Sequence, residues 1–205
     1  VQKGLKDLIQ LFLRRHERRV KKAIEEANVK DASNIITSFI IINIVKDRMN
    51  IKDNLTIVIP TLNEAKAIGT VIRELKRIGY ENIIVVDGYS DDGTDNIAIA
   101  EGAKVIYQHG RGKADAIKTA IEVVKTKYII VMDGDNSYDP NDIDKFLMHA
   151  ENYDEIIGAR DYKNMSFTQR VGNRLITKIF NILMGTNLSD VCSGMYLLNL
   201  DFIRD

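Results

Sequence analysis

From Leu55 onward, short apolar runs alternate with stretches of helical periodicity, and each apolar run ends at a polar cluster. The runs Leu55–Ile59, Asn82–Val86, Lys104–Tyr107, Tyr128–Met132 and Glu155–Ala159 have the length and composition of strands. Between them, Ile68, Val71, Ile72 and Leu75 recur at helical spacing, as do Ile117, Ala120, Ile121 and Val124. Thr94–Glu101 and a long segment around Phe167–Met184 read as further helices. Asp139-Pro140 reads as a helix start, with Asp as the cap and Pro in the first turn. Strands alternating with helices predict a mostly parallel sheet covered by helices on both faces. The boundary of this domain falls near Lys52–Asn54, which leaves residues 1–53 as an extension and 54–205 as the domain.

Composition excludes several classes. The chain has 205 residues, 45% hydrophobic and 28% charged, as a folded domain requires and a disordered one does not. Lys and Arg balance Asp and Glu at 29 each, so no global field for nucleic acid exists. Cys192 is the single cysteine, which rules out an internal disulfide and a cysteine-rich zinc site. The longest apolar stretch, Ile35–Val45, is shorter than the roughly 20 residues a bilayer span needs. Charge is unevenly spread. Residues 1–30 carry nine basic and four acidic side chains. Leu5, Leu8, Ile9 and Phe12 mark an amphipathic helix there, which can lie on an anionic membrane or pack on the domain with a solvated basic face. Residues 31–50 read as a second helix or a strand.

The polar clusters share one place. Pro60–Glu64, Asp87–Thr94, Asp133-Gly134-Asp135 and Gly158-Ala159-Arg160 all follow predicted strands, at the edge where open α/β sheets bind ligands. Asp, Asn, Gly and Ser are also turn residues, so one such loop alone would mean little. Asp133 and Asp135, one residue apart after a buried strand, suit a shared hard cation. Mg²⁺ or Mn²⁺ takes oxygen ligands and keeps water or phosphate in its shell, which fits a diphosphate ligand. There is no G-x-G-x-x-G after the first strand and no P-loop. Gly110-Arg111-Gly112-Lys113 precedes a helix and reads equally as an anion contact or as a turn.

Together these motifs carry a resemblance. Ile59–Glu64, Val85-Val86-Asp87 with Ser90–Thr94, and Asp133-Gly134-Asp135 resemble family 2 glycosyltransferases of the GT-A fold, a Rossmann-like sheet that binds nucleoside-diphosphate sugars. Gly110–Lys113, Arg170–Ile176 and Asp190–Gly194 extend the likeness to archaeal dolichyl-phosphate hexose and mannose synthases. The resemblance covers about Leu55–Leu200 and implies roles. Pro60, Leu62, Asn63, Glu64, Asp87 and Lys113 would bind the donor, together with Asp133, Gly134 and Asp135. Asp133, Asp135 and Ser137 would hold Mg²⁺ or Mn²⁺; mannose synthases often have Gln where Ser137 stands. Asp135, Arg160 and Asp190 would serve catalysis, and Arg160, Arg170, Arg174 and Ser193 would receive the acceptor phosphate. Arg170 and Arg174, four apart, share a helical face, which would otherwise read as a surface of an amphipathic helix. Such relatives continue past the point where this chain ends, so the resemblance implies a C-terminally shortened domain.

The implied reaction is inverting. The metal and Arg160 neutralise the leaving diphosphate, and the acceptor phosphate attacks C1 without a general base. The resemblance implies a UDP-hexose or UDP-N-acetylhexosamine rather than a GDP donor, dolichyl (polyprenyl) phosphate as acceptor, and a role in protein N-glycosylation. It also implies a cytoplasmic enzyme, peripheral on the inner face of the cell membrane. Two alternatives stand beside it. A soluble family 2 transferase acting on a sugar or glycan hydroxyl would need a base such as Asp190. A nucleotide-sugar-binding subunit would lack turnover.

Overall fold

The computed structural model describes residues 49–159 and 167–204, together with Arg18, Ile40 and Ile41. The expected amphipathic helix of residues 5–24, most of the segment 31–50, and Arg160 therefore lie outside the described residues. The chain divides into two compact units, Val1–Asp53 and Asn54–Asp205.

The second unit is built on six strands. They are β1 Leu55–Thr61, β2 Ile83–Asp87, β3 Lys104–Tyr107, β4 Tyr128–Val131, β5 Glu155–Ile157 and β6 Tyr196–Asn199. The α-helices are α1 Ile68–Arg77, α2 Thr94–Ala100, α3 Lys113–Val123, α4 Ile143–Leu147, α5 Phe167–Met184 and α6 Leu200–Arg204. The sheet order is β3-β2-β1-β4-β6-β5. β1 to β4 run parallel, whereas β6 is antiparallel to both β4 and β5. β5 therefore points the same way as β1 to β4, and its carboxyl end reaches their edge. The start of β6 arrives at that edge from the opposite direction.

The side chains of β1, β2 and β4 are buried along almost their whole length and are mostly apolar, as a sheet covered on both faces requires. Val58, Ile84, Val86, Ile129 and Val131 pack with Ala116 and Ala120 of α3. Ile68, Val71, Ile72 and Leu75 bury the inner face of α1. The helical spacings read from the sequence thus locate α1 well. In α3 the buried positions are Ala116, Thr119 and Ala120, with Ile117 and Ile121 only partly covered.

Two features depart from the sequence reading. β1 continues through Pro60 to Thr61. Ile57 N–H bonds Asn82 O on the β2 side, and Val58 O accepts from Met132 N–H on the β4 side. By alternation Pro60 faces β4, one step beyond the end of that ladder, so its missing N–H leaves no gap in the sheet. The second departure is β6, which the sequence reading missed. It carries Tyr196-Leu197-Leu198-Asn199, a run short enough to be hidden beside the longer helix signal of α5.

Candidate functional site

The strand order reverses between β1 and β4: β2 and β3 lie on one side of β1, and β4 lies on the other. The chains leaving β1 and β4 diverge there and open a crevice. Asp133 emerges two residues after β4, and Leu62 and Asn63 follow β1.

The crevice floor requires glycine. A Cβ on Gly134 would stand 3.0 Å from Thr61 Cγ2 and 3.2 Å from Ile59 Cγ2, so the Asp133–Asp135 turn sits directly on β1. Asn136 at φ 64° turns the chain back. Ser137 N–H donates to Asp135 Oδ1 at 3.0 Å. On the other side, a Cβ on Gly194 would overlap the Asp133 carboxylate, and Gly194 N–H donates to the Tyr138 hydroxyl at 2.6 Å. The loop preceding β6 therefore closes over Asp133. Lys113, the first residue of α3, is ion-paired with Asp133 Oδ1.

Negative charge accumulates here beyond what Lys113 compensates. Burial first, then the charges of Asp135, Asp92 and Asp133, raise the Glu64 carboxyl above its ordinary 4.5. Burial, followed by the Asp133 and Glu155 charges, pushes the Tyr196 phenol up to about 12. A divalent cation beside Asp133 and Asp135 would relieve the repulsion that these charges impose on Glu64, and the all-oxygen donor set suits Mg²⁺ or Mn²⁺. Among the described residues, no three His, Cys, Asp or Glu side chains close into a complete cage. A cation here would complete its shell from water and ligand oxygens.

The loops after β1 and β2 are bonded to each other. Asn63, at φ 60°, gives its N–H to Ser90 Oγ, and its Oδ1 accepts from Asp91 N–H. Glu64 N–H donates to Thr94 Oγ1 at 2.8 Å, and Ala65 N–H donates to Asp92 Oδ2 at 3.0 Å. Asp87 is fully buried and accepts from Thr61 Oγ1, Ser90 N–H and Ser90 Oγ. In this arrangement Asn63 and Asp87 shape the loops, while Leu62 is 61% exposed at the rim. Tyr89, in the left-handed region at φ 66°, stacks on Tyr107 with ring centroids 5.4 Å apart. Tyr107 is fixed by its hydroxyl bond to Asp95.

The remaining candidates lie on α5 and the loop after it. Asp190 is buried and accepts from Cys192 N–H at 2.9 Å. Ser193 Oγ turns back on Met195, donating to its carbonyl and accepting from its N–H, both at 3.2 Å. Arg170 and Arg174 stand on α5, whose Thr177 Oγ1 accepts from Val191 N–H at 3.3 Å and so ties the helix to the closing loop. The structure thus brings together Glu64, Lys113, Asp133, Gly134 and Asp135 at the crevice. Asp92 and Thr94, part of the Asp87–Thr94 cluster read from the sequence, belong to the same construction, as do Tyr138 and Tyr196, which were not singled out. Their roles depend on β6 and on the pairing of two loops, neither of which leaves a local sequence signal.

Residues 56–205 match the sequence profile of glycosyl transferase family 2. The chain belongs to this family. Among curated family 2 relatives, glycosyltransferase AglJ of Haloferax volcanii is 38% identical over 148 residues, covering 69% of this chain and 49% of that protein. The dolichyl-phosphate hexose transferase of the same organism is 33% identical, covering 75% of this chain and 69% of that protein. The UDP-N-acetylglucosamine–dolichyl-phosphate N-acetylglucosaminyltransferase of Methanococcus voltae is 28% identical over 68% of this chain and 66% of its own length. Glucosyl-3-phosphoglycerate synthase of Mycobacterium tuberculosis, solved with Mn²⁺, UDP and glucosyl-3-phosphoglycerate, shares the GT-A fold at a TM-score of 0.62 and 21% identity, covering 72% of this chain and 57% of that one. This family 2 chain spans about half the length of AglJ.

Proposed function

We propose that this family 2 chain is the catalytic domain of an inverting glycosyltransferase. It would move a hexose or N-acetylhexosamine from a nucleoside-diphosphate sugar to dolichyl or another polyprenyl phosphate, for protein N-glycosylation. The observation that carries the reading is the packing of Lys113, Gly194 and Gly134 around the Asp133–Asp135 turn at the sheet's switch point. The names of two relatives, the hexose and N-acetylglucosamine dolichyl-phosphate transferases, support the acceptor class. A UDP rather than GDP donor is favoured by the same N-acetylglucosaminyl relative and by the UDP-bound structural neighbour.

In this reading Asp133 and Asp135 hold Mg²⁺ or Mn²⁺, with Ser137 at the margin. A metal held there would supply the positive charge that a departing diphosphate needs. Pro60, Leu62 and Glu64 line the nucleoside side, and Asp87 and Asn63 keep that rim in shape. Lys113 exchanges Asp133 for a donor phosphate oxygen when the donor enters. Arg160, Arg170 and Arg174 orient the acceptor phosphate, which is already an anion and attacks C1 opposite the leaving group. The new C1–O bond forms as the bond to the diphosphate breaks, so the anomeric configuration inverts. No base is needed, and buried Asp190 acts by holding the loop that covers Asp133. The chain works at the cytoplasmic face of the membrane, where a polyprenyl phosphate presents its head group.

Radiolabelled UDP- and GDP-sugars offered with polyprenyl phosphate or with soluble sugars test this directly. Label entering the organic phase only when lipid phosphate and Mn²⁺ or Mg²⁺ are both present is the expected result. Transfer to sugar hydroxyls alone would replace this reading with the soluble-transferase one.

A further inference from the structure

Among the described residues, three that are not glycine take positive φ: Asn63 at 60°, Tyr89 at 66° and Asn136 at 64°. They follow β1, β2 and β4, so all three stand at the carboxyl edge of the sheet. Asn tolerates this conformation, because its short amide bonds locally. For a bulky aromatic residue it is an outlier, whereas glycine adopts it freely. Such strain persists only where the surrounding structure holds it, and it gathers at ligand sites.

The Tyr89 ring is held in one pose. It stacks on Tyr107, with centroids 5.4 Å apart and ring planes 19° from parallel. Tyr107 ends β3 and donates its hydroxyl proton to Asp95 Oδ2 at 2.8 Å, in the first turn of α2. One face of Tyr89 is thereby taken, and the opposite face is the one a ligand would meet. The backbone on either side is pinned. Gly88 N–H donates to Thr61 O at 2.8 Å, and Ser90 N–H donates to Asp87 Oδ1 at 2.7 Å. A Cβ on Gly88 would stand 3.5 Å from Leu62 Cδ1, so Leu62 and Tyr89 flank a residue that has no side chain.

Position along the sheet edge decides what this ring would meet. β4, β1, β2 and β3 lie side by side in that order, about 4.8 Å apart. The ends of β2 and β3 are two and three strand spacings from β4, about 10–14 Å along the edge. A diphosphate held over the Asp133–Asp135 turn extends its nucleoside over a distance of that order. The loop before β6 closes over Asp133 through Gly194. The nucleoside is therefore directed the other way, toward β2 and β3. A planar base on a fixed aromatic face is a favourable stack for any base, since each has a π-face.

We propose that Tyr89 is the stacking contact for the donor's nucleobase, with Tyr107 as the ring that holds it in position. The idea rests on the nucleoside-diphosphate donor reading and deepens it by assigning the base to a ring on the β2 loop. Stacking carries no hydrogen-bond code, so Tyr89 adds affinity for the nucleotide without choosing between uracil and guanine.

The test titrates the whole 205-residue chain with UDP and with GDP in Mg²⁺. Inorganic pyrophosphate in Mg²⁺ is the probe that has the phosphates and no base. Tyr89→Ala weakens binding of whichever nucleotide the chain takes by roughly tenfold or more, and leaves pyrophosphate binding unchanged. Tyr89→Phe keeps the ring and the affinity. Tyr89→Gly suits the left-handed backbone, so it folds, and it loses nucleotide affinity as Tyr89→Ala does. UDP carries no sugar, so a loss seen with it assigns the ring to the nucleoside rather than to the transferred hexose. The chain has no tryptophan, so Tyr89→Trp places a single reporter at the site. The nucleotide quenches its emission and pyrophosphate does not. Nucleotide affinity that survives both Tyr89→Ala and Tyr89→Gly overturns the proposal. So does an equal loss of nucleotide and pyrophosphate, which marks Tyr89 as a scaffold of its loop. A failed donor reading appears differently: the unaltered chain binds neither nucleotide in Mg²⁺, which overturns both readings together.

Discussion

Asp133 is held on three sides, by Lys113, by the backbone of Gly194 and by the chain turn over Gly134. Asp133→Asn removes the ion pair and half of the paired carboxylates. Turnover should fall roughly a hundredfold or more, as when a preorganised electrostatic contact is lost. The same change removes one of the charges that oppose the Tyr196 phenolate. Its pKa should drop from about 12 yet stay above the ordinary 10.0, because burial is the larger cause. A ¹³C NMR titration of the tyrosine ring carbons checks this. Glu64 offers a second pH test in metal-free buffer. Its folded-state pKa is raised, so its contribution to stability is full below the unfolded value of 4.5 and is lost as pH rises through the folded value. Glu64→Gln should therefore be the more stable protein in urea melts at about pH 7, with the difference closing at about pH 4. Donor affinity of the same variant should fall.

At the level of elements, two loops and one strand assemble the crevice. Thr94 is buried at the start of α2 and accepts the Glu64 N–H that begins the turn into α1. Thr94→Val keeps the shape but leaves that N–H and Asp92 without their hydroxyl partner. A loss of about 1–3 kcal/mol is expected by chemical denaturation, with weaker donor binding because the β1 and β2 loops are no longer bonded through this position. The loop into β6 offers a steric test. Gly194→Ala puts a methyl into the Asp133 carboxylate. Either the loop or the carboxylate must move, at about 1–3 kcal/mol of stability. In the proposed reading Asp133 faces the reacting phosphates rather than the nucleoside, so kinetics should show kcat reduced more than the donor KM. The strand signals for β1, β2 and β4 were legible because buried parallel strands are mostly apolar runs with a polar cluster at their carboxyl ends. β6 was not, because an antiparallel strand of four residues after a long amphipathic helix has no period of its own.

For the whole molecule, ligand linkage is the broadest check. A donor and metal that bind only the folded state at a hundred times Kd add about 2.7 kcal/mol, or roughly 5–10 °C in Tm for a domain of this size. A panel of UDP- and GDP-sugars with and without Mn²⁺ should yield that shift for one nucleotide class only, and a much smaller one without metal. The expected dependence on metal follows from the acidic crevice: without a cation, Glu64, Asp133 and Asp135 would repel a diphosphate.

Local physics settled the elements up to α5 and their order, but not β6. Apolar period, caps and the Asp-rich ends of strands depend on neighbours a few residues away, so the alternating α/β fold and the residues of its ligand edge could be read directly from the chain. The tertiary structure decided what that edge became. It set the reversal between β1 and β4, delivered Gly194 and Tyr196 from a strand running the other way, paired Lys113 with Asp133 across 20 positions, and turned the aliphatic side of α5 outward. Each of these depends on residues far apart in sequence meeting in space. The helical period of α5 records that it has two faces, and only packing determines which of them meets the protein.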